Sequence, residues 1–166
     1  MTFASLAALW IFPGVVLCAA ISDLTTLRIG NKLVLALVAA YALLAPMAGF
    51  GLHQLGLSLA AAAVVFFFGF LFFVMGWIGG GDAKFASAIA LWLGAEHVLT
   101  FVIYTALIGG GLTLVLLFFR RFPIPALLYG RPWIARLHFG DSGVPYGVAL
   151  AIAALLIFPH TPWLRG

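Results

Sequence analysis

The chain has 166 residues, of which 66% are hydrophobic and only 7% are charged, and its mean hydropathy is +1.25. Soluble domains carry about 25% charged residues, so this composition excludes a soluble globular protein. The formal charge of +4 comes from eight Lys and Arg residues scattered among apolar runs. That pattern is typical of membrane topology signals, so we expect the lipid bilayer and no nucleic acid among the partners.

Apolar runs along the chain predict six helices. Their lengths approach or exceed the roughly 17–25 residues that cross a bilayer, and they lack the alternation of a β-barrel. In chain order the predicted helices are Phe3–Ile21, Leu33–Phe50, Leu55–Met75, Asp82 to about Gly94, Val98–Phe119 and Val144–Phe158. We expect an all-α polytopic membrane helix bundle, formed by residues 1–166 as a single domain. The first run has no basic residue before it, so it is predicted to be a retained span and not a signal peptide.

The fourth predicted helix is shorter than a full crossing, and the distribution of basic residues decides whether it spans. If it does, seven Lys and Arg residues lie on one side and only Arg165 on the other; the seven are Arg28, Lys32, Lys84, Arg120, Arg121, Arg131 and Arg136. If it does not, the split is four to four. Positive charge gathers in cytoplasmic loops, which favours about six transmembrane helices with both termini outside. The long connection from Arg120 to Gly143 is predicted to form cytoplasmic structure of its own.

Several reactive residue types give no recognisable site. Cys18 is the one cysteine and lies in an apolar run, so it is predicted to be a buried small hydrophobe. The four histidines show no metal-ligand spacing, and no serine belongs to a hydrolase motif. We therefore expect no metal and no cofactor.

The predicted topology puts three carboxylates at the cytoplasmic face, namely Asp23, Asp82 and Asp141, and Glu96 at the other. Asp82 follows Gly79, Gly80 and Gly81, and two interpretations stay open for it. Asp is a favoured N-cap at the positive end of a helix. Three glycines, however, allow positive φ and the close approach of another backbone, as a peptide-cutting site requires.

Asp23 lies near the carboxyl end of the first predicted helix, where its charge opposes the helix dipole. It is either a solvated loop residue or a functional one, since ionisable groups at membrane helix ends often mark sites. Asn31 is interpreted as the N-cap of the second helix. Lys84 is interpreted as a positive-inside anchor close enough to Asp82 to influence its ionisation.

Three segments carry a family resemblance across the whole six-helix pattern. The segment DLTTLRIGN, residues 23–31, resembles the aspartate motif of type IV prepilin peptidases, which ends in Ile-Pro-Asn. GGGDAKF, residues 79–85, resembles their GxGD motif with its trailing Lys, and GVPYGVAL, residues 143–150, resembles their Pro-Tyr-Gly segment. Gly30 departs from the usual Pro, from which we expect a more flexible loop without loss of activity.

The resemblance implies an aspartic endopeptidase with Asp23 and Asp82 as its catalytic pair, at the cytoplasmic face of a bacterial inner membrane. Asn31, Lys84 and the three glycines then belong to the motif or the path of the substrate, and Asp141 becomes a loop or capping residue. The implied substrates are prepilins and pseudopilins. The chain has no room for the methyltransferase region or cysteine-rich insert of bifunctional members, so it resembles the short branch of tight-adherence (Tad/Flp) pili.

Three other functions remain compatible with the residues. A transporter or channel subunit would use the boundary carboxylates to bind or relay cations. A structural subunit of a secretion assembly would not need them. A presenilin-like protease would share the aspartate pair and cut transmembrane segments instead. The oligomeric state is not determined by the sequence.

Overall fold

The computed structural model describes residues 2–123, 130, 132–139 and 143–164, and no β-strand occurs in those residues. The helices are α1 (Phe3–Thr26), α2 (Asn31–Met47), α3 (Leu52–Val74), α4 (Gly80–Leu93), α5 (Ala95–Arg121), α6 (Pro132–His138) and α7 (Tyr146–Ile157). A short 3-10 turn, Phe158–His160, follows α7. The chain is thus a helical membrane bundle, as the composition predicted.

Three of these helices, α1, α3 and α5, are long and apolar enough to cross a bilayer, while α2 and α7 with its 3-10 turn are shorter apolar helices. The helix α4 has 14 residues, or about 21 Å at 1.5 Å per residue, against a hydrocarbon core of about 30 Å. Six transmembrane crossings with both termini outside therefore remain a prediction.

The helix α4 lies at the centre of the bundle and packs against α2, α3, α5 and α7. Its second half is buried on almost every side, which explains why a short helix is so apolar; the buried run is Ala88, Ile89, Ala90, Leu91, Trp92 and Leu93. Trp92 donates from Nε1 to the Leu37 carbonyl at 2.9 Å, and Trp163 donates from Nε1 to the Trp92 carbonyl at 3.0 Å. These bonds fix the end of α4 that lies farthest from Asp82.

The helix α1 turns one stripe of side chains toward the bundle. Its buried residues recur every three or four positions, the spacing of one helix face; they are Ala4, Ser5, Ala8, Phe12, Val16, Ala19 and Asp23. Asp23 is therefore the last member of the core-facing stripe of α1. Cys18 falls outside the stripe and is exposed, so the prediction that it is buried was wrong.

The observed helix boundaries correct three details of the sequence prediction. The helix α1 continues to Thr26, so Asp23 lies inside its last turns. The helix α4 begins at Gly80, so Asp82 is its third residue instead of its N-cap. The N-cap of α2 is Gly30, not Asn31. The long connection after α5 does contain structure of its own, the helix α6, whose cytoplasmic location remains a prediction.

Candidate active site

Asp23 is almost completely buried, with 4% of its surface exposed, at the point where α1 meets α7. Its Oδ2 accepts a 2.7 Å hydrogen bond from the backbone N–H of Gly147, in the first turn of α7. The first N–H groups of a helix have no partner within the helix, and the helix dipole favours an anion there. The amino end of α7 thus compensates for the unfavourable position of Asp23 near the carboxyl end of α1.

Gly147 is required at this contact because a side chain at residue 147 would have no room. A Cβ at residue 147 would lie 2.7 Å from Oδ2 of Asp23 and 2.7 Å from Cδ1 of Ile29, closer than any side chain tolerates. Only glycine lets the α7 backbone approach the carboxylate this closely. The Pro-Tyr-Gly segment, which resembles the family motif, therefore supplies the backbone donor to Asp23.

The turn after Asp23 is held by hydroxyl groups of α1. Leu27 ends the helix in the left-handed region at φ 54°, and its N–H donates to the Asp23 carbonyl at 2.8 Å. The hydroxyls of Ser22 and Thr26 both donate to the Arg28 carbonyl, at 2.9 and 3.2 Å. These bonds turn the chain back and bury Ile29 beside Asp23.

Asp82 lies half-buried in the first turn of α4. Its Oδ2 accepts a 3.2 Å hydrogen bond from the N–H of Gly79, so the carboxylate does cap the helix although it is not the N-cap residue. Gly81, the residue before Asp82, packs beside Ile29, which also lies beside Gly147, the donor to Asp23. Asp82 thus caps α4 and belongs to a segment that packs close to the site of Asp23.

The glycines before Asp82 serve close packing and not an unusual backbone conformation. None of the three has a positive φ, so that part of the sequence interpretation was wrong; the positive-φ glycines are Gly49, Gly76 and Gly94. A Cβ at Gly81 would lie 3.4–3.6 Å from backbone atoms and Cβ of Ile29, and one at Gly80 would lie 3.2 Å from the Phe73 ring. The backbone that comes close to Gly81 is thus that of Ile29.

Asn31 and Lys84 link the same two segments at the surface. The Lys84 Nζ donates to Oδ1 of Asn31 at 3.4 Å, a long bond between exposed side chains. The Asn31 side chain is therefore engaged with α4, and Gly30, which has no side chain, occupies the N-cap position.

The site thus unites the three segments that carry the family resemblance. Ile29 packs between Gly81 and Gly147, and so connects the segment of Asp82 with the donor to Asp23. Gly147 and Ile29 were not among the predicted site residues, although the Pro-Tyr-Gly resemblance pointed to the first of them. Asp141 lies outside the described residues. Glu96 opens α5 beyond the opposite end of α4 and is not part of the site.

The helix α6 also packs at this end of the bundle. Arg136 donates to the carbonyl of Thr25, near the end of α1, at 3.1 Å, and Arg120 donates to the carbonyl of Leu137 at 2.9 Å. Basic side chains therefore gather at the same end of the bundle as the two aspartates. Glu96 is the acid at the other end.

Two interacting carboxylates in a partly buried site do not both ionise easily, and a pair of this kind can hold one proton between its members. Such a pair suits general acid–base chemistry on water and a carbonyl group, since one member accepts a proton while the other donates.

Comparison with known proteins places the chain in a family. The type IV leader peptidase family matches residues 10–114, more than half of the chain, and the match includes both Asp23 and Asp82. Comparisons with curated proteins and with solved structures gave no significant match. Gly147 lies beyond the matched residues, so its contact with Asp23 is an independent structural observation. The chain is an integral membrane protein and belongs to the type IV leader peptidase family, a family of proteases.

Proposed function

We propose that this protein is a membrane aspartic endopeptidase that removes the short basic leader from prepilins and pseudopilins. Asp23 and Asp82 form the catalytic pair, and neither a metal nor a cofactor takes part. The observation that carries the proposal is that the two aspartate segments meet around Ile29, which lies beside both Gly81 and Gly147, in a chain of the leader peptidase family. Both are contributed by segments that resemble the family's acidic motifs.

The cleavage proceeds by general acid–base catalysis on water. The ionised aspartate takes a proton from water, whose oxygen attacks the carbonyl carbon of the scissile peptide. The protonated aspartate donates its proton to the carbonyl oxygen. When the tetrahedral intermediate collapses, the C–N bond breaks and the amine leaves with the proton that the first aspartate took from water. The second aspartate takes back a proton from a hydroxyl group of the intermediate, which restores the starting state of the pair. The products are a free carboxylate on the leader and a free amine on the pilin.

The hydrogen bonds support assigning the initial base role to Asp23. Its bond from Gly147 is 2.7 Å long, whereas the bond from Gly79 to Asp82 is 3.2 Å. A short bond from the amino end of a helix stabilises an ionised carboxylate more than a long one does. Asp82 then holds the proton at the start of the reaction.

The other motif residues position the pair or admit the substrate. Asn31 and Lys84 connect the two aspartate segments. Gly80 and Gly81 make room for the Phe73 ring and Ile29, whereas a Cβ at Gly79 would lie 2.9 Å from Oδ2 of Asp82, so glycine at 79 keeps that side of the carboxylate open. A substrate in extended conformation then has room to bring its backbone to the carboxylate.

The basic residues at the aspartate end support a cytoplasmic active site in the bacterial inner membrane. Arg136, Arg120 and Lys84 all make contacts at that end. The basic leader of a prepilin lies in the cytoplasm and its apolar segment in the membrane, so the cut falls at the boundary where the pair lies. We further propose that residues 1–166 form one peptidase domain and that the protein serves a Tad/Flp pilus.

The test is co-expression with candidate prepilins, followed by intact-mass analysis of the pilin. We expect leader loss with the wild type and none with Asp23→Asn or Asp82→Asn. Asparagine has nearly the same shape and still accepts the Gly147 or Gly79 hydrogen bond, so both variants are expected to fold. Glu96→Gln is the matched control and should cleave normally. Full activity in either aspartate variant overturns the assignment, and an acid-dependent ion flux without cleavage favours a transporter.

A further inference from the structure

An apolar groove runs along the side of the bundle between α3 and α5, with α4 as its floor. Its volume is about 410 Å³, within the roughly 300–1,000 Å³ typical of ligand sites. The walls include Val65, Phe68, Phe72, Val102, Ala106 and Leu150. Asp82 is the one acidic residue among the residues that line it.

The groove leads from Asp82 along α3 and α5, two helices that are long and apolar enough to cross a bilayer. On α3 its lining extends from Phe72 back to Val64, and on α5 from Val98 to Ala106. Each stretch spans eight helical steps, or about 12 Å, which is a little under half of the hydrocarbon thickness. A chain segment in the groove would therefore begin at the carboxylate and continue among apolar side chains.

Two further cavities do not include either aspartate of the pair. The cavity beside Lys84, between α2 and α3, contains neither aspartate, and the cavity around His53 and Glu96 lies at the far end of α4. The groove between α3 and α5 thus combines an apolar lining with one of the two carboxylates of the pair.

A hydroxyl group in the groove has no partner within the described residues. Oγ1 of Thr105 is buried and unpaired, and Thr105 lines the groove beside Phe101 and Val102. A polar atom without a partner in apolar surroundings is unfavourable, so a ligand that supplies a hydrogen bond there gains affinity. A hydrocarbon chain supplies none, whereas a peptide supplies carbonyl and N–H groups wherever its helix is unwound.

We propose that this groove binds the apolar segment of the substrate that directly follows the cleaved bond, and that Thr105 bonds to its backbone. This inference rests on the proposed function and adds where the substrate lies. The substrate reaches Asp82 from the lipid through the gap between α3 and α5. The leader remains on the aqueous side, and the apolar residues after the cut fill the groove.

The proposal is tested by filling the groove with a large side chain. Val102→Trp and Ala106→Trp put the indole on the lining face of α5. Ile103→Trp and Leu107→Trp are the matched controls, since both residues are exposed neighbours that do not line the groove. Each variant is assayed with a full-length prepilin and with a short peptide that keeps the leader and the cut but lacks the apolar segment.

We expect Val102→Trp and Ala106→Trp to slow cleavage of the full-length prepilin at least about tenfold, because the indole takes up space that the apolar segment needs. A tenfold effect requires only a modest loss of binding free energy. Cleavage of the short peptide should stay within about twofold of the wild type, which shows that the variants fold and keep the aspartate pair. The control variants should cut both substrates normally. Equal cleavage of the full-length prepilin by all four variants overturns the groove proposal and leaves the proposed function intact.

Cross-linking provides a second readout that does not depend on turnover. A prepilin with a photoreactive residue just after the cut is combined with the Asp82→Asn variant. Cross-links to Val65, Phe68 or Val102 support the groove, and Thr105→Val should weaken the capture. Cross-links confined to other helices, with a lipid acyl chain retained between α3 and α5, overturn the proposal. A wild type that cuts neither substrate overturns the proposed function, and this inference with it.

Discussion

The backbone N–H of Gly147 donates a 2.7 Å hydrogen bond to the Asp23 carboxylate, across 124 residues of sequence. The bond puts the positive end of α7 against a buried carboxylate that lies near the negative end of α1. Asp23 is therefore held in place by a helix from the other end of the chain, and its function should depend on that helix.

Gly147→Ala should abolish most of the cleavage activity. The new Cβ would lie 2.7 Å from Oδ2 of Asp23, so the carboxylate or α7 has to move. A displacement of about 1 Å at a catalytic group lowers rates on the order of 100-fold, and we expect a loss of at least that size. The measurement is the initial rate of leader removal. Gly110→Ala, in α5 with nothing within 4 Å of its Cβ, is the control and should keep its activity.

Gly81→Ala should preserve or raise stability and lower the cleavage activity. The Cβ meets Ile29 only at ordinary contact distances of 3.4–3.6 Å, and alanine in a helix is favoured over glycine by about 0.5–1 kcal/mol. We expect thermal stability in detergent to be equal or higher, and cleavage to fall because the methyl group meets Ile29, which lies between the two aspartate segments. Gly56→Ala, in an open position of α3, should gain the same stability without loss of activity. Unchanged cleavage by Gly81→Ala would show that the packing of Ile29 against residue 81 does not position the aspartate pair.

Gly30→Pro should raise stability and keep activity. Gly30 already has φ −68°, close to the value that proline imposes, and a Cβ there meets nothing within 4 Å. Restricting the unfolded chain at a compatible position stabilises a protein by about 0.4–1 kcal/mol. The readout is the midpoint of thermal unfolding. The corresponding Gly94→Pro should unfold at a lower temperature, because the φ of Gly94 is +77°. A lower midpoint for Gly30→Pro would contradict the prediction.

The contact between Asn31 and Lys84 should contribute little energy. Both side chains are exposed and their hydrogen bond is 3.4 Å long. A double-mutant cycle with Asn31→Ala and Lys84→Met is expected to give a coupling free energy of about 0.5 kcal/mol or less. The cycle is measured by unfolding in detergent, with Lys32→Met as the control for removal of a nearby charge. A coupling of about 2 kcal/mol would mean that this link, and not packing around Ile29, holds the two motif segments together.

Composition and the lengths of the apolar runs determined that the chain is a helical membrane protein, because a sequence with so few charged residues cannot cover its apolar surface in water. The aspartate and glycine motifs indicated the family, which the family comparison confirmed. The helix boundaries were less predictable, since the apolar runs do not mark where hydroxyl groups or glycines end a helix. Asp23 and Asn31 were both misplaced by a few residues relative to the observed helices for that reason.

Only the tertiary structure decided which groups meet at the site. The sequence could not indicate that Ile29 fills the space between Gly81 and Gly147, because that contact depends on how α1, α4 and α7 pack. It also could not distinguish the glycines that need positive φ from those that only need space. The covalent chain fixes the residue types and their spacing, whereas burial and backbone proximity arise when the helices pack and bring the amino end of α7 to Asp23.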